Sequence, residues 1–435
     1  MAGLRLALVV VAALAGCGGS AIQAGPRCTR RELQKASEEN RQLRQERDRL
    51  RRELERTRQQ MKRQKVIVEI ARSLQSVRGL PLRRPLRVSW VSEEQARRYM
   101  QRDLTREMPP AHAEAYVATL ARLGLLPRGY ALVDRMMELM GEQVAGFYDP
   151  RAGKLFVRAD MPAGELILSH EIAHALQDQS FPLKSLEGDC KDHDDRCFAA
   201  RALVEGDATV TMLDRLRRTL TLWRAFAMLP DLLEALALDD AKIKQAPAYL
   251  RESLVQPYLR GMALVQTLLR HGGWARVNRA FRHPPASSEQ VLHPDKYLAG
   301  EQPLAVAIPD LSAVLGPSTR RLHENTLGEF GISILLGSTA AAGWGGDRLR
   351  SYRRPDGKVL LVWHTVWDTT GDADEFAEAE ADHLGAPARH AAGGRRVWRS
   401  ADGLATLTTR GRGVLLVDGA VDSGQAAAIA RVCGF

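Results

Sequence analysis

The stretch LILSHEIAHALQDQSF, residues 166–181, decides the fold of this chain. Its apolar residues recur at helical spacing, which predicts an amphipathic helix packed against a core. His170 and His174 lie four residues apart, so both imidazoles project from one face of that helix. Two ring nitrogens on one face can bind one metal ion, and the stretch therefore predicts a metal site. The alternative is a pair of surface histidines beside a glutamate.

Glu171 follows the first histidine and completes the pattern H-E-x-x-H. On a helix this carboxylate stands beside the metal, where it can take a proton from a water molecule that the metal activates. The pattern therefore predicts zinc (Zn2+) held by His170 and His174, with Glu171 as the general base.

A catalytic zinc ion needs a third protein ligand and an open position. The stretch FAARALVEGDATVTMLDRL, residues 198–216, predicts a second helix with Glu205 near its centre. Packing of this helix against the first would bring Glu205 to the metal. His193 and Asp207 are the alternative ligands. Asp207 points elsewhere on a helix, which suits a supporting role in orienting a histidine or an arginine.

An acidic loop precedes this second helix and offers two further interpretations. Its four aspartates could hold calcium, or the loop could simply be solvated. These residues are Asp189, Asp192, Asp194 and Asp195. Cys190 and Cys197 flank the same segment and could close a short disulfide loop, while Cys28 and Cys433 are left to pair with each other or, for Cys28, with another chain.

The N-terminus, MAGLRLALVVVAALAGCGGS, indicates export. Its apolar run is too short to span a bilayer and predicts a signal peptide over residues 1–16. The residues LAGC, 14–17, are similar to the lipobox of bacterial lipoproteins, which implies a lipidated Cys17, a linker over 17–29 and a membrane anchor. Gly18 after the cysteine favours the outer membrane, so we expect a lipid-anchored protein of the cell envelope that faces the periplasm.

Residues 30–75 are predicted to form a coiled-coil stalk, because a heptad seam with a spacing of three and four runs from Leu33 to Val68. Asn40 and Arg47 are polar interruptions of this seam that could set its register. Such a stalk would permit homo-oligomers; a lone solvated helix is the alternative. Residues 27–65 hold fifteen Lys and Arg against seven Asp and Glu, a net charge of +8 in a chain of +10. The rest is near neutral, so the basic pI gives no support for nucleic-acid binding, and we expect none.

Two globular parts are predicted after the stalk, at residues 80–315 and 320–435. The first would contain the metal site and a hairpin, Gln143–Val157, that could pair with extended substrate or could simply cover the core. It would also need a donor for a developing oxyanion, for which we favour His293 over Tyr297 and Tyr148. The second alternates strands and helices, contains no phosphate-binding loop, and is predicted to be a small α+β module.

Four stretches together resemble a group of bacterial metallopeptidases with a gluzincin-like core: GEQVAGFYDPRAGKLFV, HEIAHALQDQSF, ARALVEGDATV and SSEQVLHPDKYL. The resemblance covers roughly residues 90–310. It implies an α+β fold with a mostly helical catalytic domain, zinc as the cofactor and a peptide or protein substrate in the envelope. The gluzincin pattern often has an aspartate four residues after the ligand glutamate, where this chain has Thr209.

Two functions from different classes follow. The first is a zinc-dependent metallopeptidase that uses Glu171 to activate water. The second is a non-catalytic envelope lipoprotein that scaffolds partners and holds a structural metal. Glu171 favours the first, because a structural site has no use for a base at that position and usually has four protein ligands.

Overall fold

The computed structural model describes residues 29–141, 145–160, 164–187, 192–219, 241–385, 389–390, 395–400 and 402–435. The chain forms two compact units, Met1–Val66 and Ile67–Phe435. Helices combine with two sheets, which confirms the predicted α+β class. The predicted signal peptide and the lipidation site Cys17 lie outside the described residues. None of the helices built from the described residues has the length and apolar character needed to cross a membrane.

A single helix, α1 (Arg30–Arg78), accounts for the described part of the first unit and continues into the second. Four apolar side chains of the predicted seam are exposed in the first unit: Leu43 (47%), Leu50 (57%), Leu54 (52%) and Met61 (68%). The ion pair between Glu38 and Arg41 joins residues of the same helix. The first unit thus presents the apolar positions that a second helix would cover in a coiled coil.

A peptide of residues 30–66 should be helical and should gain helicity as its concentration rises, because association buries the exposed leucines. Circular dichroism over a micromolar concentration series, with sedimentation equilibrium, measures this. The control is the same peptide with Leu43, Leu50 and Leu54 replaced by glutamine, which should remain monomeric. Helicity that is independent of concentration in the wild-type peptide would identify a lone helix.

The second unit begins inside α1, earlier than the predicted start at residue 80. Ile67, Ile70 and Leu74 are at most 1% exposed and belong to the core of this unit. Their spacing places them on one face of the helix, so the end of the predicted stalk is a core element of the second unit.

The first half of the second unit carries the hairpin and the two long helices that matter for the site. In chain order its elements are β1 (Val88–Val91), α2 (Glu93–Glu107), α3 (Pro110–Arg122), α4 (Leu132–Gly141), β2 (Gly146–Asp149), β3 (Lys154–Arg158), α5 (Glu165–Ser180), α6 (Leu183–Glu187) and α7 (Asp194–Thr219). The three strands form a sheet of order β1-β3-β2, with β1 parallel and β2 antiparallel to β3. Strand β2 is therefore an edge strand.

The described residues between 241 and 315 form six helices: α8 (Ala241–Gln245), α9 (Ala248–Arg270), α10 (Gly273–Arg282), α11 (Ser288–Leu292), α12 (Pro294–Ala299) and α13 (Ser312–Leu315). The remaining elements are β4 (Arg320–Asn325), α14 (Gly328–Leu336), α15 (Ser338–Ala341), β5 (Trp344–Arg353), β6 (Val359–Trp367), α16 (Thr370–Leu384), β7 (Arg389–His390), β8 (Arg396–Ser400), β9 (Gly403–Arg410), β10 (Gly413–Ala420) and α17 (Ser423–Val432). Their strands form an antiparallel sheet of order β4-β5-β6-β10-β9-β8-β7.

The two globular parts predicted from the sequence contribute to one shared hydrophobic cluster. Leu120 from α3 and Leu250 from α9 belong to the same cluster as Trp363 of the large sheet and Phe376 of α16. The other face of the sheet packs against α17 through Ile429. A sheet with two apolar faces must be covered on both, and the helices of the preceding part supply much of one cover.

Candidate metal centre

The histidine pair lies on α5 as the H-E-x-x-H spacing predicts. The Nε2 atoms of His170 and His174 are 3.0 Å apart, and their rings are nearly perpendicular at 88°. Apolar residues of the same helix, such as Ile172 and Leu176, are at most 1% exposed and fix the face that the helix buries. Burial of that face holds the two histidines in a fixed position beside α7.

Glu205 on α7 completes a group of three ligand atoms. Its Oε2 lies 3.0 Å from Nε2 of His170 and 3.4 Å from Nε2 of His174. The three residues form a group that could hold a metal ion. In a tetrahedral zinc site with bonds of about 2.0–2.1 Å, two ligand atoms are about 3.3 Å apart. The observed separations of 3.0, 3.0 and 3.4 Å fit a zinc ion.

Gln177 fixes the tautomer of His174. The Gln177 amide nitrogen donates to the Val204 carbonyl (3.0 Å) and to Asp207 Oδ2 (2.8 Å), which can only accept. Gln177 Oε1 therefore faces His174, and Nδ1–H of the histidine donates to it at 2.9 Å. This arrangement leaves the lone pair of neutral His174 on Nε2, directed at the centre, as a metal ligand requires.

Asp207 supports the centre, as its spacing in the sequence predicts, but it acts on His174 through Gln177. It bonds to Gln177 rather than to a histidine, and its Oδ1 accepts from Arg78 Nε at 2.6 Å. Arg78 and Asp207 are each 1% exposed, and the Arg78 guanidinium lies over the Trp274 ring at 4.3 Å. Arg78 is the last residue of α1, so this helix ends in the support of the candidate centre.

The electrostatics of the centre favour a positive charge between the ligands. Burial raises the pKa of Glu205, but His174 and His170 outweigh it and hold that pKa well below its ordinary value. Burial alone would lower the pKa of His174, yet Glu205 and Glu171 raise it to about 10. The same field that holds a proton there attracts a metal cation, and the two compete.

The side chain of Glu171 extends from α5 to the edge strand β2. Its Oε2 accepts a hydrogen bond from the backbone N–H of Tyr148 at 2.7 Å. Burial raises the pKa of Glu171, while His174 and His170 act in the opposite direction. A carboxylate in this position, with a raised pKa, is suited to accept a proton and release it again.

Tyr258 on α9 also lies near the centre, and no motif in the sequence predicts it. Its ring centroid lies 5.8 Å from that of His170, and its hydroxyl interacts with Glu205. Glu205 first, and burial next, raise its pKa well above the ordinary value, so the phenol keeps its proton. Pro257 precedes it within the helix and removes one backbone donor, a local feature typical of a bend.

A close crossing of two helices brings Tyr258 and Glu205 together. A Cβ atom on Gly206 would lie 2.1 Å from the carbonyl carbon of Gly261, and a Cβ on Gly261 would lie 1.9 Å from the Ala202 oxygen. Only glycine lets the backbones of α7 and α9 approach this closely.

Replacing Gly206 with alanine should destabilise the protein by roughly 1–3 kcal/mol, because the new methyl group forces the two helices apart. Thermal unfolding with and without zinc measures the change. Gly371→Ala is the control, since Gly371 lies in the exposed first turn of α16 with no close contact under 3.5 Å. Equal stability of Gly206→Ala and wild type would contradict the crossing described here.

The three sequence-based candidates for the oxyanion donor, His293 foremost among them, make hydrogen bonds to other groups in the structure. His293 Nε2 bonds to Glu329 at 2.8 Å, and its side chain is half exposed. The Tyr297 hydroxyl donates to the His283 carbonyl, and the Tyr148 hydroxyl donates to Asp178, at 2.7 and 2.8 Å. Tyr258, whose ring centroid lies 5.8 Å from that of His170, is closer to the candidate ligands than these hydrogen bonds suggest for His293 or Tyr297.

The alternative ligands are also accounted for. His193 Nδ1 accepts from the Arg196 backbone near the start of α7. Asp194 accepts from two tyrosines and Asp195 from the Ser288 backbone, and over the described residues neither belongs to a group able to hold an ion. Asp189 lies outside the described residues. The predicted calcium alternative therefore gains no support.

A second acidic group surrounds a lysine. Glu289, Glu301 and Asp368 approach one another closely, but Lys296 Nζ lies 2.6, 2.8 and 2.9 Å from their oxygens. The ammonium group occupies the position that a cation would need.

Cys197 forms a disulfide, whereas Cys433 is free. The partner of Cys197 lies outside the described residues, as do Cys190 and Cys28. The predicted pairing with Cys190 therefore stays a prediction.

A cavity of 870 Å³ is lined in part by α7 and α9, the helices that carry Glu205 and Tyr258. Three of its lining residues are neighbours of the site in sequence: Asp149 follows Tyr148, Arg201 lies one helical turn before Glu205, and Pro257 precedes Tyr258. Apolar side chains including Leu250, Leu254 and Phe330 form much of its wall. The volume lies in the range of small-molecule and peptide pockets.

Comparison with known proteins adds one match. A family model for a domain of unknown function (DUF8575) matches residues 317–430, from the start of the large sheet into α17. No curated protein and no solved structure matches the chain. The matched region does not include the candidate metal centre, and its description names no activity.

Proposed function

We propose that the second unit is a zinc-dependent metallopeptidase. The observation that carries the proposal is the meeting of three ligand atoms at tetrahedral spacing with Glu171, a carboxylate beside them that is not a ligand. His170, His174 and Glu205 would hold the ion, and the tautomer fixed by Gln177 suits this role.

The bound ion would polarise the substrate carbonyl and acidify a water molecule, leaving the proton transfers to the protein. Glu171 accepts a proton as the water oxygen attacks the peptide carbonyl. It then delivers that proton to the departing amine as the C–N bond breaks, so the base is restored. The product is one carboxylic acid and one amine for each peptide bond and water consumed.

Tyr258 is the proposed donor to the developing oxyanion, replacing His293 in this role. Its neutral hydroxyl lies by Glu205, on the side of the centre supplied by α9. A positioned donor stabilises the negative charge that appears on the carbonyl oxygen.

Edge strand β2 is the proposed partner for extended substrate. Tyr148 directs its backbone N–H away from β3 and toward Glu171, so substrate paired along this edge would pass the general base. The N-terminal part of the predicted pairing segment, Gln143 and Val144, lies outside the described residues.

Tyr258→Phe should lower kcat by about 10–10³-fold while zinc content and KM stay near wild type, because the hydroxyl acts mainly in the transition state. Steady-state kinetics on one cleaved peptide measures the effect. Tyr297→Phe is the matched control, since that hydroxyl bonds to a backbone carbonyl away from the centre. An unchanged kcat in Tyr258→Phe would remove the residue from the mechanism.

The function itself is tested by metal analysis of the purified protein together with digestion of a mixed peptide library. We expect about one zinc per chain and hydrolysis that a chelator abolishes and added zinc restores. Bound zinc without cleavage of any peptide bond in the library would favour the non-catalytic scaffold instead.

We further propose that the protein is an envelope lipoprotein anchored through Cys17, with α1 as a spacer that permits self-association. The support is the LAGC sequence and the exposed apolar seam of the first unit. Labelled fatty acid should enter the wild-type protein and not Cys17→Ser. Equal labelling of both would exclude this anchor.

A further inference from the structure

The cavity that α7 and α9 line contains an arginine that has no partner among the described residues. Arg201 is exposed, and within the described part of the chain its guanidinium makes no hydrogen bond or ion pair. Two other lining arginines differ: Arg106 is paired with Asp103, and Arg151 with Asp103 and Glu107. The charge of Arg201 is therefore available to a ligand.

Arg201 lies close to the centre. It precedes Glu205 by four residues on α7, so the two side chains are neighbours on one helix face, with Cβ atoms about 5–6 Å apart. Glu205 and burial raise the pKa of Tyr258, and Arg201 acts against them, which places its charge within reach of that phenol.

Asp194, which lies on α7 and also lines the cavity, does not neutralise Arg201. Asp194 lies seven residues earlier, about 10 Å along the helix axis at 1.5 Å per residue. Its Oδ2 accepts hydrogen bonds from the hydroxyls of Tyr116 and Tyr249, both at 2.7 Å. Asp194 is thus held in the wall of the cavity by two neutral donors.

We propose that Arg201 binds a carboxylate of the substrate, within two residues of the scissile bond. The inference rests on the proposed peptidase function and specifies its substrate class. One residue of extended chain spans about 3.3–3.6 Å, so a group next to Glu205 reaches one or two residues along a bound peptide. A guanidinium fork takes a carboxylate through two parallel hydrogen bonds.

The carboxylate has two sources with the same chemistry. A free C-terminal carboxylate would make the enzyme trim peptide ends, and an Asp or Glu side chain would direct cleavage to acidic positions within a chain. The apolar wall formed by Leu250, Leu254 and Phe330 suits apolar side chains on the neighbouring residues.

The test compares matched peptides with zinc-loaded protein. In one pair of peptides, the C-terminus lies one or two residues beyond the cleaved bond. It is a free carboxylic acid in one peptide and an amide in the other. The other pairs carry Glu against Gln at each of the two positions on either side of an internal bond. At least one acidic peptide should have a kcat/KM about 10–100-fold above its neutral partner, the factor for hydrogen bonds to a charged group.

Arg201→Gln should remove this preference, so that its kcat/KM becomes equal for each acidic peptide and its neutral partner. Lys184→Met is the matched control, because Lys184 lines the same cavity and also lacks a partner among the described residues. It should keep the preference. Equal loss in the two variants would mean a diffuse positive field and would overturn the assignment to Arg201.

Binding separates this inference from the proposed function. Zinc-loaded Glu171→Gln should bind at least one of the acidic peptides about 10–100-fold more tightly than its neutral partner by calorimetry, whether or not wild type cleaves it, and adding Arg201→Gln should equalise the two. If wild type cleaves acidic and neutral peptides equally at every position, the role of Arg201 fails and the peptidase stands. If nothing is cleaved, the calorimetry still decides whether Arg201 binds a carboxylate.

Discussion

Replacing Glu171 with glutamine should leave zinc bound and reduce peptide hydrolysis by about 10²–10⁴-fold, the range for loss of a general base. Glutamine has the same size, and its amide oxygen can still accept the 2.7 Å hydrogen bond from the Tyr148 backbone. It cannot take a proton from water. Zinc content and hydrolysis rate, measured on the same preparation, separate the two roles.

Asp178→Asn is the matched control for that prediction. Asp178 lies on the same helix and also bonds to Tyr148, through the hydroxyl at 2.8 Å, but it is not among the candidate site residues. We expect its activity within a few-fold of wild type. Equal losses in the two variants, or loss of zinc from Glu171→Gln, would falsify the assignment of Glu171 as the base.

Glu205→Ala should lose zinc and activity together. Changes to residues that merely support metal ligands typically cost about 10–100-fold in affinity, and loss of a ligand should cost more. The variant leaves two histidines, too few for a stable zinc site. Competition with a zinc-binding dye measures the affinity, and the hydrolysis assay measures the activity.

A second measurement, on the metal-free protein, tests whether Glu205 lies next to His174. Because Glu205 holds the pKa of His174 near 10 against the effect of burial, that pKa should fall in Glu205→Ala when followed by NMR. Asp214→Ala is the control, since Asp214 lies on the same helix and pairs with Arg217 at the surface. Full zinc affinity in Glu205→Ala would show that another group supplies the third ligand.

The hydrogen bonds around the centre explain why Glu171→Gln and Glu205→Ala should have different effects. Arg78, Asp207 and Gln177 form a buried chain of hydrogen bonds that ends on Nδ1 of His174. Glu171 is outside this chain and is held by the backbone of β2. The proposed metal binding and the proposed proton transfer thus depend on separate sets of contacts.

The sequence determined the local parts of this protein. The helical period of 3.6 residues places His170 and His174 on one face of a helix. The same period predicts a second helix with Glu205 on it, and it directs Asp207 to a different face from Glu205. The α+β class followed from helical and strand periodicities that alternate along the chain. These features depend on residues that are a few positions apart, so they can be predicted from the local sequence pattern.

Contacts over long separations were decided only by the tertiary structure. Tyr258 comes 53 positions after Glu205 and meets it because Gly206 and Gly261 let two helices touch, which no local pattern predicts. Arg78 reaches Asp207 across 129 positions for the same kind of reason. His293 was favoured because histidine can donate to an oxyanion, yet its bond to Glu329 on α14 holds it elsewhere. A side chain's chemistry is local, but its partner is fixed by the packing of elements distant in the chain.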